Sequence, residues 1–258
     1  MAGQTVQSVD RALEIMEVLS VNPKGITLTD LSNEVCLNKS TTYRLLSALE
    51  QRNYVTQDTE TKKYMLTLKL FEMGNRISDR FDIVTVATPF MRDLSEVIGE
   101  VCHLAIRDGN QIVYVAKESG DINSPLMITS HIGLRDDMYC CSLGKAILST
   151  LSLDEVAEIW DGTRITKFTE NTITTLPGMI EALETIRVCG YAVDDEEHVL
   201  GIRCIAAPIF NNSTQAVAAI SVASPSIRMS QERMKELAPA VMNVANRISA
   251  NLGYRIIR

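Results

Sequence analysis

The segment Asn38–Leu49 constrains this chain more than any other, because it reads as one short helix with two different faces. Residues at three- and four-residue spacing form a face that is expected to pack into a core: Thr42, Leu45, Leu46 and Leu49. The remaining positions carry hydroxyls, one aromatic ring and basic groups: Lys39, Ser40, Thr41, Tyr43, Arg44 and Ser47. Such groups suit phosphate oxygens and base edges, so the segment predicts a DNA-recognition helix, with an ordinary solvated amphipathic helix as the alternative.

The residues before this segment predict a second short helix and a tight turn. Thr27 and Asp30 have the spacing of a helix cap and its partner, and Asn38 is a good cap for the helix that follows. Apolar residues between these caps supply a buried face: Leu28, Leu31 and Val35. Because only Cys36–Leu37 separates the two helices, we predict a helix-turn-helix, whose second helix enters the major groove.

Two further elements complete the predicted DNA-binding unit. An earlier helix is expected to bury an apolar stripe that ends before the break at Asn22-Pro23: Val9, Ala12, Leu13, Met16 and Leu19. After the recognition helix, residues 54–56 and 64–66 resemble short strands, joined by a polar tip that carries Lys62 and Lys63. We interpret this hairpin as a wing that lies along the DNA backbone, which makes the unit a winged helix-turn-helix.

The net charge of −7 is poor for a nucleic-acid-binding protein, but the charge is unevenly distributed. Residues 1–80 hold ten Lys/Arg and ten Asp/Glu, so the rest of the chain carries the whole negative excess. Residues 38–69 hold six basic and three acidic residues. Because phosphate neutralisation drives affinity and scales with the number of basic contacts, this modest local excess suits an oligomer that multiplies it.

Length and composition predict a cytoplasmic protein with two cores. The chain has 258 residues, of which 46% are hydrophobic and 22% charged, as in ordinary soluble proteins. No apolar run approaches the roughly 18 residues of a membrane span, and we see no signal segment. The six cysteines and three histidines lack metal-type spacing, so we expect reduced thiols, structural histidines, no metal and no cofactor.

The second half of the chain predicts one α/β domain. We divide the chain into a winged helix-turn-helix domain (1–66), a linker helix (67–81) and a second domain with one central sheet (82–258), an α+β architecture. A helix over 83–98 contains Pro89, where we expect a kink or a break. The predicted strands cover 101–106, 111–115, 126–130, 191–193, 202–210 and 216–223. The predicted helices cover 142–151, 153–160, 176–189 and 231–252.

Three clusters in this half could form a site. Residues 139–146 run from a turn into a helix, where outward amides suit an anion; the alternative is an ordinary helix capped by Ser142. The acidic run Asp194–His198 is normally a solvated loop, although Arg203 and Cys204 interrupt the apolar strand that follows it. Ser221 falls in the last apolar strand and could line a cavity.

The order of these motifs resembles the isocitrate lyase regulator (IclR) family of bacterial transcription factors over essentially the whole chain. The resemblance rests on the winged helix followed by Lys63–Gly74, Ser142–Ala146, Gly190–Glu197 and Gly201–Pro208. Residues 63–74 and 171–176 are most similar to sugar-acid regulators of the 2-keto-3-deoxygluconate repressor (KdgR) type.

This resemblance implies a dimer through the DNA-binding half, usually a dimer of dimers, and a GAF-like domain that binds a small organic acid. The effector positions it implies are Ser142, Leu143, Asp194, Cys204 and Ser221, and we add the amide of Gly144. Where several relatives have glycine and alanine before the Gly-Lys pair, this chain has Ser142-Leu143, and a second serine of the late strand is replaced by Ala223. The ligand need not therefore be glyoxylate or pyruvate.

We therefore predict a ligand-responsive regulator, a repressor of a carbohydrate or sugar-acid catabolic operon, that binds an inverted-repeat operator as a homodimer or homotetramer. The alternative is an enzyme acting on a small keto acid through a cysteine nucleophile, Cys140, Cys141 or Cys204, with His198 as base. The sequence leaves open the effector, the operator and the sign of the response.

Overall fold

Contacts in the computed structural model divide the chain into two units, Met1–Phe81 and Asp82–Arg258. The structure describes residues 6–78, 82–119 and 130–254. The end of the linker helix, predicted at residue 81, and most of the strand predicted at 126–130 therefore lie outside the described residues. The finer boundary at residue 66 stays a prediction.

The amino-terminal unit is the predicted winged helix-turn-helix. It contains α1 (Gln7–Ser20), α2 (Leu28–Glu34), α3 (Lys39–Gln51), β1 (Val55–Gln57), β2 (Tyr64–Leu66) and α4 (Lys69–Ser78). Cys36 takes a φ of +50° in the turn between α2 and α3, and this left-handed conformation reverses the chain within a few residues. The first three helices and both strands contribute residues to one core: Ile15, Leu19, Ile26, Leu31, Val35, Leu46, Val55 and Tyr64.

The buried stripe predicted for α1 is partly wrong. Leu19 is buried as expected, but Val9 and Leu13 are 53% and 52% exposed, and Ile15 is buried in their place. This helix is apolar on more than one side, so its periodicity allowed two choices of inward face. The packing against α3 and β2 selects the face that carries Ile15 and Leu19.

The second unit is built on one six-stranded antiparallel sheet with the strand order β5-β4-β3-β8-β7-β6. The strands are β3 (Val101–Asp108), β4 (Gln111–Ser119), β5 (Arg135–Asp137), β6 (Ala192–Asp195), β7 (Ile202–Phe210) and β8 (Ala216–Pro225). The helices are α5 (Asp82–Ile98), α6 (Ser142–Leu148), α7 (Leu153–Asp161), α8 (Leu176–Cys189) and α9 (Gln231–Asn251). One core packs α5 and α9 against the sheet, and a separate core lies under α6, α7 and α8.

The structure of this unit differs from the sequence-based expectation at three places. Helix α5 continues through Pro89, so of the predicted kink or break the break is absent. A proline costs a helix one backbone hydrogen bond, and the packing of Ala87 and Met91 in the core offsets that loss. Helix α6 ends at Leu148 rather than at residue 151. Strand β5 was not predicted, since it is short, charged and held at the edge by pairing with β4. Of the helices that the structure describes, none has the length and apolar character of a membrane span.

Candidate DNA-binding face and ligand cavity

The outer face of α3 carries the side chains that the sequence assigned to DNA. Thr42 and Leu46 are fully buried on the inner side of the helix. Lys39, Ser40, Tyr43 and Arg44 are exposed, whereas Thr41 and Ser47 are half-buried. The exposed groups start at the amino end of the helix, which is the end that meets base edges in helix-turn-helix proteins.

Hydrogen bonds at the start of α3 give Ser40 a structural task. The Asn38 side chain accepts a hydrogen bond from the Thr41 amide at 2.8 Å and so caps the helix. The Ser40 hydroxyl donates to the same Asn38 Oδ1, also at 2.8 Å. The Ser40 proton is therefore used in the hydrogen bond to the capping residue. The donors that this face presents to DNA are Arg44, Tyr43 and Lys39.

The hairpin after α3 has a defined tip. Asp58 Oδ1 accepts hydrogen bonds from the amides of Thr61 at 2.6 Å and Glu60 at 3.1 Å, as in a tight side-chain-capped turn. Lys62 has a φ of +57°, and its carbonyl accepts a hydrogen bond from Gln57 Nε2 at 2.9 Å. The Lys62 side chain is exposed and that of Lys63 is half-buried. The turn thus presents Lys62 to solvent at a fixed place.

The second unit contains a cavity of about 570 Å³ that brings together five of the six predicted effector residues. They are Ser142, Leu143, Asp194, Cys204 and Ser221. These residues come from α6, β6, β7 and β8, so only the fold places them side by side. The volume fits a small organic ligand.

Strand register explains how the cavity floor forms. Asp194 pairs with Cys204, which pairs with Ala223, and two residues further along Ala206 pairs with Ser221. His103 extends the second row, because it pairs with Ser221 on the other side of β8. Paired residues point to the same face of a sheet, as do residues two apart in a strand. The small side chains in these rows leave room above the sheet.

Gly144 is absent from this lining, and its role is packing. A Cβ at Gly144 would lie 2.3 Å from the Met138 carbonyl oxygen, so no larger residue fits there. The Gly144 amide already donates to the Cys141 sulfur at 3.4 Å, which makes Cys141, and not Ser142, the cap of α6. We therefore leave Gly144 out of the candidate site.

The acidic run 194–198, which begins within β6 and continues past it, is not a solvated loop. Asp194 is only 4% exposed, and its Oδ1 accepts a hydrogen bond from the Glu197 amide at 2.8 Å. Burial raises the pKa of the Asp194 carboxyl to about 7, although nearby Lys145 and backbone hydrogen bonds act to lower it. The Lys145 ammonium and the Glu197 carboxylate form a buried ion pair beside it.

Sequence reasoning missed four polar side chains that also line the cavity: His103, Tyr114, Ser130 and Asp136. His198 lines it too, and the sequence had named this residue only as the end of the acidic run and as the base of the alternative enzyme. Nε2 of His103 lies 2.6 Å from the Ser130 hydroxyl, and burial, with a smaller contribution from Lys117, lowers the pKa of His103 to about 3. His103 is therefore neutral. His103 and Tyr114 could have been identified in the sequence, because each is a polar residue within an otherwise apolar strand, β3 and β4 respectively. Asp136 gave none, because its strand was not predicted.

The cysteines in the cavity are poor nucleophiles. Burial raises the pKa of Cys204 well above its ordinary value, and hydrogen bonding with Cys140 together with burial does the same for Cys141. A reactive cysteine needs a lowered pKa, which positive surroundings usually provide. All six cysteines are free thiols. In the described part of the chain, no three His, Cys, Asp or Glu side chains group as metal ligands.

Comparison with known proteins assigns both units. Residues 8–59 match the family "IclR helix-turn-helix domain", and residues 75–250 match "Bacterial transcriptional regulator IclR C-terminal". The chain is 37% identical over 250 residues to the HTH-type transcriptional regulator KdgR of Escherichia coli (strain K12), covering 97% of this chain and 94% of that protein. It is 32% identical over 254 residues to the HTH-type transcriptional repressor AllR of Klebsiella pneumoniae, covering 98% and 93% respectively. The solved structure of the Thermotoga maritima IclR matches with a TM-score of 0.84 and 30% identity, covering 97% of this chain and 100% of that chain.

Proposed function

The chain belongs to the IclR family of bacterial transcriptional regulators, and we propose that it is a KdgR-type repressor of a carbohydrate or sugar-acid catabolic operon, released from DNA by a small acid. It is a DNA-binding regulator and not an enzyme. As a repressor it would act in the cytoplasm, on the chromosome.

For DNA contact, we assign base reading to Arg44, Tyr43 and Lys39, and supporting roles to Ser40, Thr41 and Ser47. An exposed arginine on the groove-facing side can donate two hydrogen bonds to a guanine edge. We assign Lys62 and Lys63 on the wing to the phosphate backbone, where they add affinity without sequence preference.

The observation that carries the effector proposal is the cavity that gathers Ser142, Leu143, Asp194, Cys204 and Ser221. We assign the ligand's carboxylate to the Ser142–Leu143 end, where a hydroxyl and outward amides at the start of α6 can donate to it. We assign a ligand hydroxyl to Asp194, a buried acceptor on the floor. A sugar acid satisfies both ends, whereas a plain keto acid offers no hydroxyl to Asp194.

The proposed function can be tested by direct release from DNA. Genomic fragments bound by the full-length protein would be selected and footprinted, and small keto acids and sugar acids would then be added to the complex. We expect a hydroxylated acid to lower the affinity for the footprinted site and to raise the melting temperature of the free protein. A protein that binds its site with the same affinity in every acid would contradict the proposal.

We expect the protein to be a dimer or tetramer that binds an inverted repeat. One short recognition helix makes too few contacts for physiological affinity, so two must act together. The exposed apolar residues Val9 and Leu13 on α1 and Phe71 on α4 offer surface for self-association within the DNA-binding half. Sedimentation at micromolar concentration should give no monomer, and a duplex with a single half-site should bind far more weakly than the full repeat. A monomer with intact DNA affinity contradicts this expectation.

Replacing Asp194 with alanine should weaken binding of a hydroxylated acid more than binding of pyruvate. Only the hydroxylated ligand loses a hydrogen-bond partner, which corresponds to about a tenfold loss of affinity. Asp195→Ala is the matched control, because Asp195 is the next residue but pairs with Arg203 outside the cavity lining. Calorimetry on the full-length protein measures both ligands. Equal losses for the two ligands would show that Asp194 does not contact the hydroxyl.

A further inference from the structure

The two edge strands of the sheet meet across the cavity. Asp136 lies on β5 and His198 follows β6, at opposite ends of the strand order, yet His198 Nδ1 is 3.7 Å from Asp136 Oδ2. The sheet must curl for its edges to come this close. Both side chains line the cavity, so this contact forms part of its wall. Neither residue is among the effector-binding positions that the family resemblance implies.

A buried tyrosine holds Asp136 in place. The Tyr114 hydroxyl donates to Asp136 Oδ2 at 2.8 Å, and burial raises the pKa of Tyr114, so this hydroxyl stays protonated. The Tyr114 and His198 contacts fall on the same oxygen. Among the described residues, none donates to Asp136 Oδ1. Beside the His198 ring, this part of the wall therefore presents two hydrogen-bond acceptors to a ligand: the free Asp136 carboxylate oxygen and the lone pairs of the tyrosine oxygen.

The charges around the cavity also disfavour a second negative charge on the ligand. Its lining contains the carboxyl groups of Asp136 and Asp194 and, in the part of the chain that the structure describes, no lysine or arginine. The nearby ammonium groups are engaged, Lys145 with the Glu197 carboxylate and Lys117 with the Ser130 carbonyl at 2.7 Å. His103 is neutral, and the His198 ring already contacts Asp136 Oδ2 through Nδ1. A second negative charge on a ligand near Asp136 would meet a like charge with little solvent to screen it.

From this arrangement we propose that Asp136, held by Tyr114, is a specificity-determining residue of the effector cavity. It selects an acid whose tail carries uncharged hydrogen-bond donors and rejects an acid with a second carboxylate. This inference rests on the proposed function, because it takes the ligand to be a small acid. It specifies which chemical groups the ligand carries at the end opposite its carboxylate.

The test compares acids of one chain length on the full-length protein. D-gluconate ends in a hydroxyl, D-glucarate carries a second carboxylate in its place, and hexanoate has no hydroxyls. Calorimetry should show gluconate binding at least about tenfold more tightly than either of the others. In Asp136→Asn the glucarate-to-gluconate ratio of dissociation constants should fall by about tenfold, because the like charge is gone. Tyr114→Phe should lower the ratio less, since it frees Asp136 without neutralising it.

Asp137→Asn is the matched control. It makes the same change of charge one residue away, but Asp137 is bonded to Gln111 Nε2 at 2.9 Å and is not part of the lining. For Asp137→Asn, the glucarate-to-gluconate ratio of dissociation constants should equal that of the unmodified protein. Unchanged emission from Trp160, the single tryptophan, verifies folding of each variant. If Asp136→Asn does not fold, Tyr114→Phe carries the comparison.

The outcomes separate this inference from the proposed function. If acids bind but gluconate and glucarate bind equally, or if Asp136→Asn leaves their ratio unchanged, the role of Asp136 is overturned while an acid-binding regulator remains. If none of the three acids, nor any acid of the release experiment, binds the protein, the proposed function fails and this inference fails with it.

Discussion

Replacing Lys145 with methionine is expected to lower the free energy of unfolding of the second unit by about 3 to 5 kcal/mol. Lys145 is only 2% exposed and forms an ion pair with Glu197, which is 7% exposed. Glu197 Oε2 already has no hydrogen-bond partner among the described residues. Methionine fills much of the lysine volume but leaves a buried charge without compensation, so the loss exceeds that of an ordinary packing change.

Urea unfolding followed by tryptophan emission measures this loss. Trp160 lies in α7, so its signal reports on the second unit alone. Lys167→Met is the matched control, since the Lys167–Glu170 pair is largely exposed and such pairs contribute at most about 1 kcal/mol. Replacing Glu197 with leucine together with Lys145→Met should recover much of the stability, because no unpaired charge remains. Equal effects of the two lysine substitutions would contradict the assignment of a buried pair.

The DNA-binding unit could be predicted from the sequence because its determinants are local. A cap such as Asn38, a turn such as Cys36–Leu37 and an apolar stripe on α3 act within a few residues of one another. The inner face of α1 could not be predicted in the same way, because Leu13 and Ile15 are equally apolar and only packing against α3 and β2 distinguishes them.

Only the cavity residues that belong to the family motifs could be predicted from the sequence. Ser142, Leu143, Asp194, Cys204 and Ser221 carry over from those motifs, and the cavity gathers them. Asp136 lies on a strand with no hydrophobic pattern, and its approach to His198 depends on the curl of the whole sheet. The burial of Glu197 likewise has no signature in an acidic run, since it results from the lysine that α6 brings opposite. Long-range pairing of this kind is not encoded in local periodicity.

Replacing Arg44 with alanine should weaken binding to the natural operator by about 1 to 3 kcal/mol, which is roughly five- to more than a hundredfold. Arg44 is exposed one turn into α3, on the face opposite the buried Leu46. An arginine that donates to both acceptors of a guanine supplies affinity and base preference together. Its loss should therefore reduce the preference for the operator over unrelated DNA as well as the affinity itself.

Lys62→Ala provides the contrast for this experiment, because a phosphate contact acts on every sequence alike. That variant should lose affinity for operator and unrelated DNA in equal proportion, and its affinity should depend less steeply on salt. Arg52→Ala removes the same type of side chain from the far end of α3 and should leave base preference unchanged. Fluorescence anisotropy with operator and scrambled duplexes at several salt concentrations distinguishes the three variants. An Arg44→Ala protein that footprints the same site at unchanged affinity would show that α3 does not read the bases through this residue.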